Sequence, residues 1–138
     1  MNETIVKFGY PHTLVAEFAH WVVLARPAQP TLGALVLAAK SDATAFSYLP
    51  AEAHAELKQA TTAIETALRK AVAHERINYL MLMMVDPQVH FHAIPRYEGE
   101  RERQGRQLPD PQRGGARAQS LDRHDVEETV LDQRLVQL

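Results

Sequence analysis

Two histidines stand one residue apart in the largely apolar stretch Gln88 to Tyr97, which reads QVHFHAIPRY. Alternate side chains of a β-strand face the same way, so His90 and His92 share one face with Gln88 and Ile94. Their Cα atoms stand about 7 Å apart on a strand, which lets both imidazoles address one small anion or one metal ion. The opposite face is expected to point into the core and carries Val89, Phe91 and Ala93.

Three interpretations of this pair compete. In the first, His90 and His92 are merely polar positions on a half-exposed strand. In the second they bind a metal, but a stable zinc site needs at least three protein ligands, and the chain has no cysteine. The other histidines show no obvious ligand spacing; they are His12, His20, His54, His74 and His124. In the third, one imidazole attacks phosphorus while a protonated neighbour stabilises charge on the phosphate oxygens.

Composition limits the class of protein that can carry such a pair. The chain has 138 residues, 46% of them hydrophobic, and a net charge of −2, which indicates one globular domain and neither a nucleic-acid nor a membrane-surface partner. The longest apolar run, Tyr79 to Val85, is too short to span a bilayer, and the N-terminus lacks the features of a signal peptide. We therefore expect a soluble, cytoplasmic protein.

Periodicity predicts an α+β domain with an antiparallel sheet and one long helix packed on it. We expect strands at Thr13 to Phe18, Trp21 to Ala25 and Gly33 to Lys40, a helix from Pro50 to about His74, a central strand at Ile77 to Val85, and then the histidine stretch paired back against it. Pro95 cannot donate to a ladder, so we expect it to end its strand or to mark an edge.

The character of the chain changes near residue 98, which predicts a domain at 1–97 and a C-terminal arm at 98–138. The arm is rich in Arg, Gln, Gly and Pro up to about residue 120, which favours a flexible loop or a docked arm. Its end predicts a short helix with a capping box at Asp125 and Glu128. No aromatic residue follows Tyr97, so stacking on nucleic-acid bases is not expected.

The segment INYLMLMMVDPQVHFHAIPRY, Ile77 to Tyr97, resembles the signature of the histidine-triad (HIT) family of the HIT-like/galactose-1-phosphate uridylyltransferase-like superfamily. That signature is His-x-His-x-His followed by apolar residues and often Pro-Arg. The earlier RPAQPTLGALVLAAK is similar to the family's proline-containing turn and the strand after it. The resemblance implies a HIT-like sheet with one helix, usually a homodimer, and hydrolysis or transfer at the α-phosphate of a nucleotide conjugate.

The resemblance also implies roles for individual residues. His90 corresponds to the middle histidine and would form a covalent nucleotidyl intermediate, while His92 would bind the phosphate oxygens. Asn78 resembles a family asparagine near the phosphates. Gln88 stands at the first triad position, where its amide can donate to a phosphate oxygen but cannot shuttle a proton. Arg96 can clamp a phosphate in a bidentate pair, although an arginine at a strand end is more often solvated.

We therefore expect a nucleotide hydrolase or nucleotidyl transferase that acts on phosphoramidates or dinucleoside polyphosphates through His90. No cofactor is required on this interpretation, although the nucleotide can arrive as its divalent-metal complex. One alternative is a non-catalytic module of the same fold that binds a nucleotide or a partner. Another is a metal-dependent enzyme with His90 and His92 as ligands. A run as apolar as Ile77 to Val85 needs cover on both faces, which favours a homodimer through strand edges or the long helix.

Overall fold

A computed structural model describes residues 1–103 and 106–109 of the chain. Its helices and strands, in chain order, are α1 (Glu3–Lys7), β1 (Leu14–Glu17), β2 (Trp21–Ala25), β3 (Leu35–Ala39), a 3-10 helix (Phe46–Tyr48), α2 (Ala51–Val72), β4 (Arg76–Leu80), β5 (His90–Arg96), β6 (Glu100–Arg103) and β7 (Arg106–Pro109).

Five of the strands form one antiparallel sheet in the order β1-β2-β3-β5-β4. The predicted α+β class, with a single long helix on the sheet, is confirmed. Strand β5, which carries the two histidines, lies between β3 and β4 and pairs with both. The histidines are therefore held by two neighbouring strands, which fixes their backbone positions.

The long helix α2 begins directly after Pro50, whose fixed φ of −65° suits this position, and ends at Ala73 in the left-handed conformation. It confirms the helix predicted from Pro50 to about His74. Its apolar stripe packs on one face of the sheet through Ala53, Ala60, Ile64, Leu68 and Val72. The same core holds the odd-numbered residues of the histidine stretch, so this side of β5 is the core side, as predicted.

A short N-terminal helix that the sequence did not predict, α1, covers part of the opposite face. The side chain of Asn2 caps it by accepting a hydrogen bond from the backbone N–H of Ile5 at 2.9 Å. Ile5 is fully buried in a second apolar cluster with Val22, Leu24, Val36 and Ala38. Helix α1 therefore covers the opposite face over β2 and β3, whereas the apolar run that begins in β4 stays half-buried to exposed.

The predicted central strand at Ile77 to Val85 is wrong in two respects. Strand β4 ends at Leu80, and it lies at the edge of the sheet rather than in its centre. Its last residue pairs with His92. The chain then turns away, with Met83 at a positive φ of 49° and Met84 84% exposed, so the apolar run is longer than the strand.

Pro95 does not end its strand, because it lies inside β5, but it stands where β5 has a single neighbour and faces Ile77 of the edge strand. Pairing between β3 and β5 runs only from His90 to Ala93, so no ladder bond to β3 is lost at the proline. The hydroxyl of Thr31 donates to the carbonyl of Pro95 at 2.7 Å. The turn before β3 therefore takes the place of a strand neighbour here.

That turn is organised by the buried side chain of Gln29. Its amide nitrogen donates to the carbonyls of Arg26 and Ala34, at 2.7 and 2.8 Å, and its oxygen accepts from the N–H groups of Gly33 and Ala34. The hydroxyl of Tyr97 accepts from the N–H of Leu32 at 2.9 Å. These bonds fasten the end of β2 to the end of β5.

Strands β6 and β7 form a two-stranded antiparallel hairpin beyond residue 98, which the sequence did not predict. The predicted C-terminal helix lies outside the described residues. The boundary between a domain at 1–97 and an arm at 98–138 stays a prediction. Within the described residues no helix is long and apolar enough to cross a membrane.

Candidate active site

The orientation of His90 is fixed by its own strand. Its Nδ1 lies 2.8 Å from the backbone carbonyl oxygen of Gln88. A carbonyl oxygen can only accept, so Nδ1 must carry the ring proton, and in the neutral imidazole the lone pair is on Nε2. Among the described residues, this buried Nε2 has no hydrogen-bond partner. The ring is thus held in the tautomer that a nucleophile needs.

His92 lies beside His90 on the same face, with 5.1 Å between the ring centroids and an edge-to-face arrangement. Burial, followed by the charges of Arg26 and His90, lowers the pKa of His92 to about 3. In the folded protein His92 is therefore neutral at pH 7 rather than the protonated neighbour expected from the sequence. A neutral imidazole still supplies one N–H to a phosphate oxygen.

The structure adds Arg26, which the sequence analysis did not single out. It follows β2 directly and is 3% exposed, and its positive charge acts on His92. Alternation along β2 would have found it, because Arg26 continues the series Val22 and Leu24 that faces the histidine side of the sheet. The same rule predicts a buried positive charge on this face.

Asn78 and Arg96 are brought together as neighbours on β4 and β5. Nη1 of Arg96 donates to Oδ1 of Asn78 at 3.0 Å, and Arg96 is only 6% exposed. In the pairing of the two strands, Arg96 faces Arg76 and Asn78 faces Ile94. Both side chains therefore lie beyond His92, towards the end of β5. The interpretation of Arg96 as a solvated residue at a strand end is therefore wrong.

Gln88, the fifth predicted site residue, lies just before β5 and contacts α1. The hydroxyl of Thr4 donates to its side-chain oxygen at 2.5 Å. Both His90 and His92 are fully buried beneath the N-terminal segment, so the interpretation of a half-exposed strand is wrong. Five predicted residues are thus placed in two groups: His90, His92 and Gln88 under the N-terminal segment, and Asn78 with Arg96 further along the strands.

A metal site does not fit this arrangement. In the described part of the chain, no group of three or more His, Asp or Glu side chains could hold a metal ion, and His90 and His92 alone fall short of the three protein ligands that zinc requires. The metal-dependent alternative from the sequence therefore lacks its third ligand among these residues.

Comparison with known proteins gives similarity in structure only. No family model matches the chain, and no curated protein matches it in sequence. A histidine-triad protein from Sinorhizobium meliloti is similar at 19% identity and a TM-score of 0.69, over 97% of this chain and 86% of that one. A hypothetical histidine triad nucleotide-binding protein from Sulfolobus tokodaii is similar at 17% identity and a TM-score of 0.60, over 78% and 79%.

A third solved structure, a zinc-bound histidine-triad family protein from Mycobacterium smegmatis, is similar at 18% identity and a TM-score of 0.59. The similarity covers 96% of this chain and 86% of that protein. At such low identities the likeness concerns the arrangement of helices and strands. The chain has the fold of the histidine-triad proteins.

Proposed function

We propose that the protein transfers a nucleotidyl group from a nucleotide conjugate, a phosphoramidate or a dinucleoside polyphosphate, to water or another acceptor through a covalent intermediate on His90. The observation that carries the proposal is the bond from Nδ1 of His90 to the carbonyl of Gln88. It directs the lone pair of Nε2 away from the strand. In addition, the structures similar to this fold include a histidine triad nucleotide-binding protein.

The reaction follows two displacements at the α-phosphorus. The lone pair of Nε2 attacks phosphorus and forms the P–N bond, while the bond from phosphorus to the leaving group breaks and the leaving group departs with its electron pair. Water then attacks the same phosphorus and gives up a proton, which an amine leaving group or solvent takes up, while the P–N electron pair returns to Nε2. Dividing one difficult displacement into two is the advantage of covalent catalysis.

The neighbouring side chains suit the charge that develops on the phosphoryl oxygens. His92 supplies an N–H beside the nucleophile, and Arg26 supplies a buried positive charge near His92. Preorganised donors of this kind stabilise the transition state more than the ground state. We assign Gln88, Asn78 and Arg96 to substrate binding, and the reaction needs no resident cofactor on this proposal.

A non-catalytic nucleotide- or partner-binding module is the second candidate, and one observation favours it. The amide of Gln88 stands where the family signature has its first histidine, and it is engaged with Thr4. A chain that had lost turnover could keep His90 and His92 for binding alone. The two candidates differ in whether a nucleotide becomes bonded to His90.

The test is to mix the protein with adenosine 5′-phosphoramidate or a dinucleoside polyphosphate, quench without acid, and weigh the intact protein. We expect an added adenylyl mass that peptide mapping places on His90. His90→Asn should abolish the adduct and the turnover, because an amide nitrogen has no lone pair basic enough to attack phosphorus. His92→Ala should slow adduct formation by about 10²- to 10³-fold.

His20→Ala is the matched control, since His20 lies in the turn between β1 and β2 and should leave the reaction unchanged. Circular dichroism of each variant shows whether the fold survives. Turnover by His90→Asn at the wild-type rate would refute the nucleophile assignment. Binding of AMP by both proteins, with no adduct and no turnover in either, would replace the enzyme by the binding module.

The homodimer also stays a proposal, and it rests on the family resemblance and on the apolar side chains that stay exposed after β4, Met84 at 84% and Val85 at 65%. Light scattering at micromolar concentration should give about twice the subunit mass of 15.5 kDa. A value near the subunit mass would contradict it.

A further inference from the structure

The residues over the two imidazoles belong to the N-terminus of the chain. The ring of Phe8 lies 5.6 Å from the ring of His90 and 5.8 Å from that of His92, measured between centroids. Both imidazoles have no exposed surface. Since Phe8 contacts both rings, it occupies space that a group bound by the two histidines together would need.

Three polar side chains fasten this segment to the rest of the protein. The Asn2 amide donates to the carbonyls of Ala39 and Ser41, each at 2.9 Å. Thr4 donates to Gln88 at 2.5 Å. Lys7 forms an ion pair with Asp86 at 2.6 Å, and the buried side chain of Ile5 adds an apolar contact.

Attack on phosphorus requires the reacting atoms to approach within about 3–3.5 Å. Nε2 of His90 is buried in the closed structure, so a phosphate cannot reach it while Phe8 and α1 stay in place. The five residues of α1 are too few to form a stable helix alone, and the Lys7 side chain is 55% exposed, which makes its ion pair weak. Local opening of such a segment is easier than global unfolding.

We propose that residues 1–10 form a lid over His90 and His92, which excludes substrate when closed and opens before the chemistry described above. Gln88 links the two states. In the closed state its side-chain oxygen accepts the Thr4 hydroxyl; once the lid opens, the side chain can reorient and donate its amide N–H to a phosphate oxygen. Closure of the lid therefore fixes the orientation of the side chain that would bind the phosphate.

The inference rests on the proposed function for its consequence in catalysis, but closure itself can be measured without catalysis. The chain contains no cysteine, so a Thr4→Cys/Gln88→Cys variant has a single pair of thiols. The Thr4 hydroxyl lies 3.3 Å from the backbone nitrogen of Gln88. The two residues are therefore close enough to be joined by a disulfide. Oxidation should lock the lid and reduction should release it.

The readout is the rate at which diethyl pyrocarbonate modifies His90, followed by peptide mass mapping. We expect His90 to react at least tenfold faster in the reduced than in the oxidised double variant, while the exposed His12 reacts equally in both. Equal rates for His90 in the two forms would refute the lid. The comparison is made within one variant, so loss of the Gln88 amide affects both forms alike.

Adduct formation from adenosine 5′-phosphoramidate separates the lid from the proposed chemistry. Slower adduct formation in the oxidised form supports the lid as a gate for substrate, whereas equal adduct rates refute that role. If neither form gives an adduct and wild type gives none, the proposed function fails while the labelling of His90 still decides the lid.

A second variant needs no disulfide. Lys7→Ala removes the ion pair to Asp86 and should raise the rate of His90 labelling about two- to fivefold, the range expected for a largely exposed pair. Lys40→Ala is the matched control, because Lys40 forms an ion pair of similar length, 2.8 Å, with Glu17 of β1 rather than with a residue of the lid. A change of the same size in both variants, or in neither, would contradict a role of the Lys7–Asp86 ion pair in holding the lid closed.

Discussion

Arg96 donates a hydrogen bond from Nη1 to Oδ1 of Asn78 at 3.0 Å, and so joins the edge strand β4 to the histidine strand β5 on the face that carries His90 and His92. The guanidinium is almost fully buried, so a polar acceptor beside it matters for stability as well as for binding. The amide oxygen must face the arginine, which fixes the orientation of the Asn78 side chain.

Asn78→Ala should therefore lower the free energy of unfolding by about 1–2 kcal/mol, because it removes an acceptor from a buried charged donor. Urea denaturation followed by circular dichroism measures the change. Arg76→Ala is the control on the same strand: Arg76 is exposed, and its loss should cost less than about 0.5 kcal/mol. An equal cost for the two variants would show that the bond to Arg96 adds nothing.

His92 should make stability depend on pH. Its pKa falls from an ordinary 6.5 to about 3 in the folded protein, chiefly through burial. Below pH 6.5 the unfolded chain binds a proton that the folded protein does not, so the free energy of unfolding falls as the pH drops towards 3. Between pH 6.5 and pH 5 the loss from this group should be about 2 kcal/mol.

Urea denaturation at several pH values, compared with the same series for His92→Phe, isolates this contribution. The phenylalanine variant cannot titrate at this position, so its stability should fall less steeply below pH 6.5. Other carboxyl and imidazole groups contribute equally to both proteins. Identical slopes for the two proteins would mean that His92 is protonated in the folded state.

Two residues have a positive φ, which glycine adopts more readily than alanine. Replacing the glycine by alanine should destabilise the protein, and replacing the alanine by glycine should stabilise it. Gly33, at φ +101°, lies in the turn before β3, and an added Cβ would stand 3.1 Å from Cδ2 of Leu68. Gly33→Ala should cost about 1–3 kcal/mol through backbone strain. Ala73 ends α2 at φ 49°, where glycine is favoured, so Ala73→Gly should stabilise the protein by about 0.5–1 kcal/mol.

Thermal unfolding of both variants checks these signs. If both substitutions destabilise the protein, the positive φ of Ala73 does not strain the end of α2. Stabilisation by Gly33→Ala would mean that the turn adopts another conformation.

The order of elements could be predicted because β2, β3, α2 and the histidine stretch each carry a clear period of their own. The shared face of His90 and His92 follows from alternation alone, and alternation on β2 also leads to Arg26. The end of β4 could not be read from the sequence. Residues Met81 to Val85 are as apolar as the strand, yet pairing stops at Leu80 opposite His92, and the chain turns away with Met83 at a positive φ.

The cover over the site was missed for a different reason. Helix α1 has five residues, too few to show a helical period, and it is placed by Ile5 entering a pocket built from β2 and β3. That contact is tertiary, between residues far apart in the chain.

The amide at position 88 should make the reaction depend on the leaving group. Glutamine can donate a hydrogen bond but cannot supply a titratable proton, so a leaving group that departs as a stable anion should suffer least from it. We expect the wild-type protein to release p-nitrophenolate from the p-nitrophenyl ester of AMP faster than an alkylamine from an AMP phosphoramidate, because the amine must be protonated as the P–N bond breaks.

Gln88→His should then raise the rate for the alkylamine by about 10²-fold, the lower end of the range for a positioned general acid, and change the rate for the ester by much less. The informative quantity is the change in the alkylamine rate relative to the change in the ester rate. The variant also removes the acceptor of the Thr4 hydroxyl, and a looser lid would raise both rates by the same factor. Single-turnover measurements of adduct formation with the two substrates separate these effects. A rise confined to the alkylamine assigns position 88 to proton transfer, and an equal rise for both substrates assigns it to the lid. No rise for either substrate contradicts both roles.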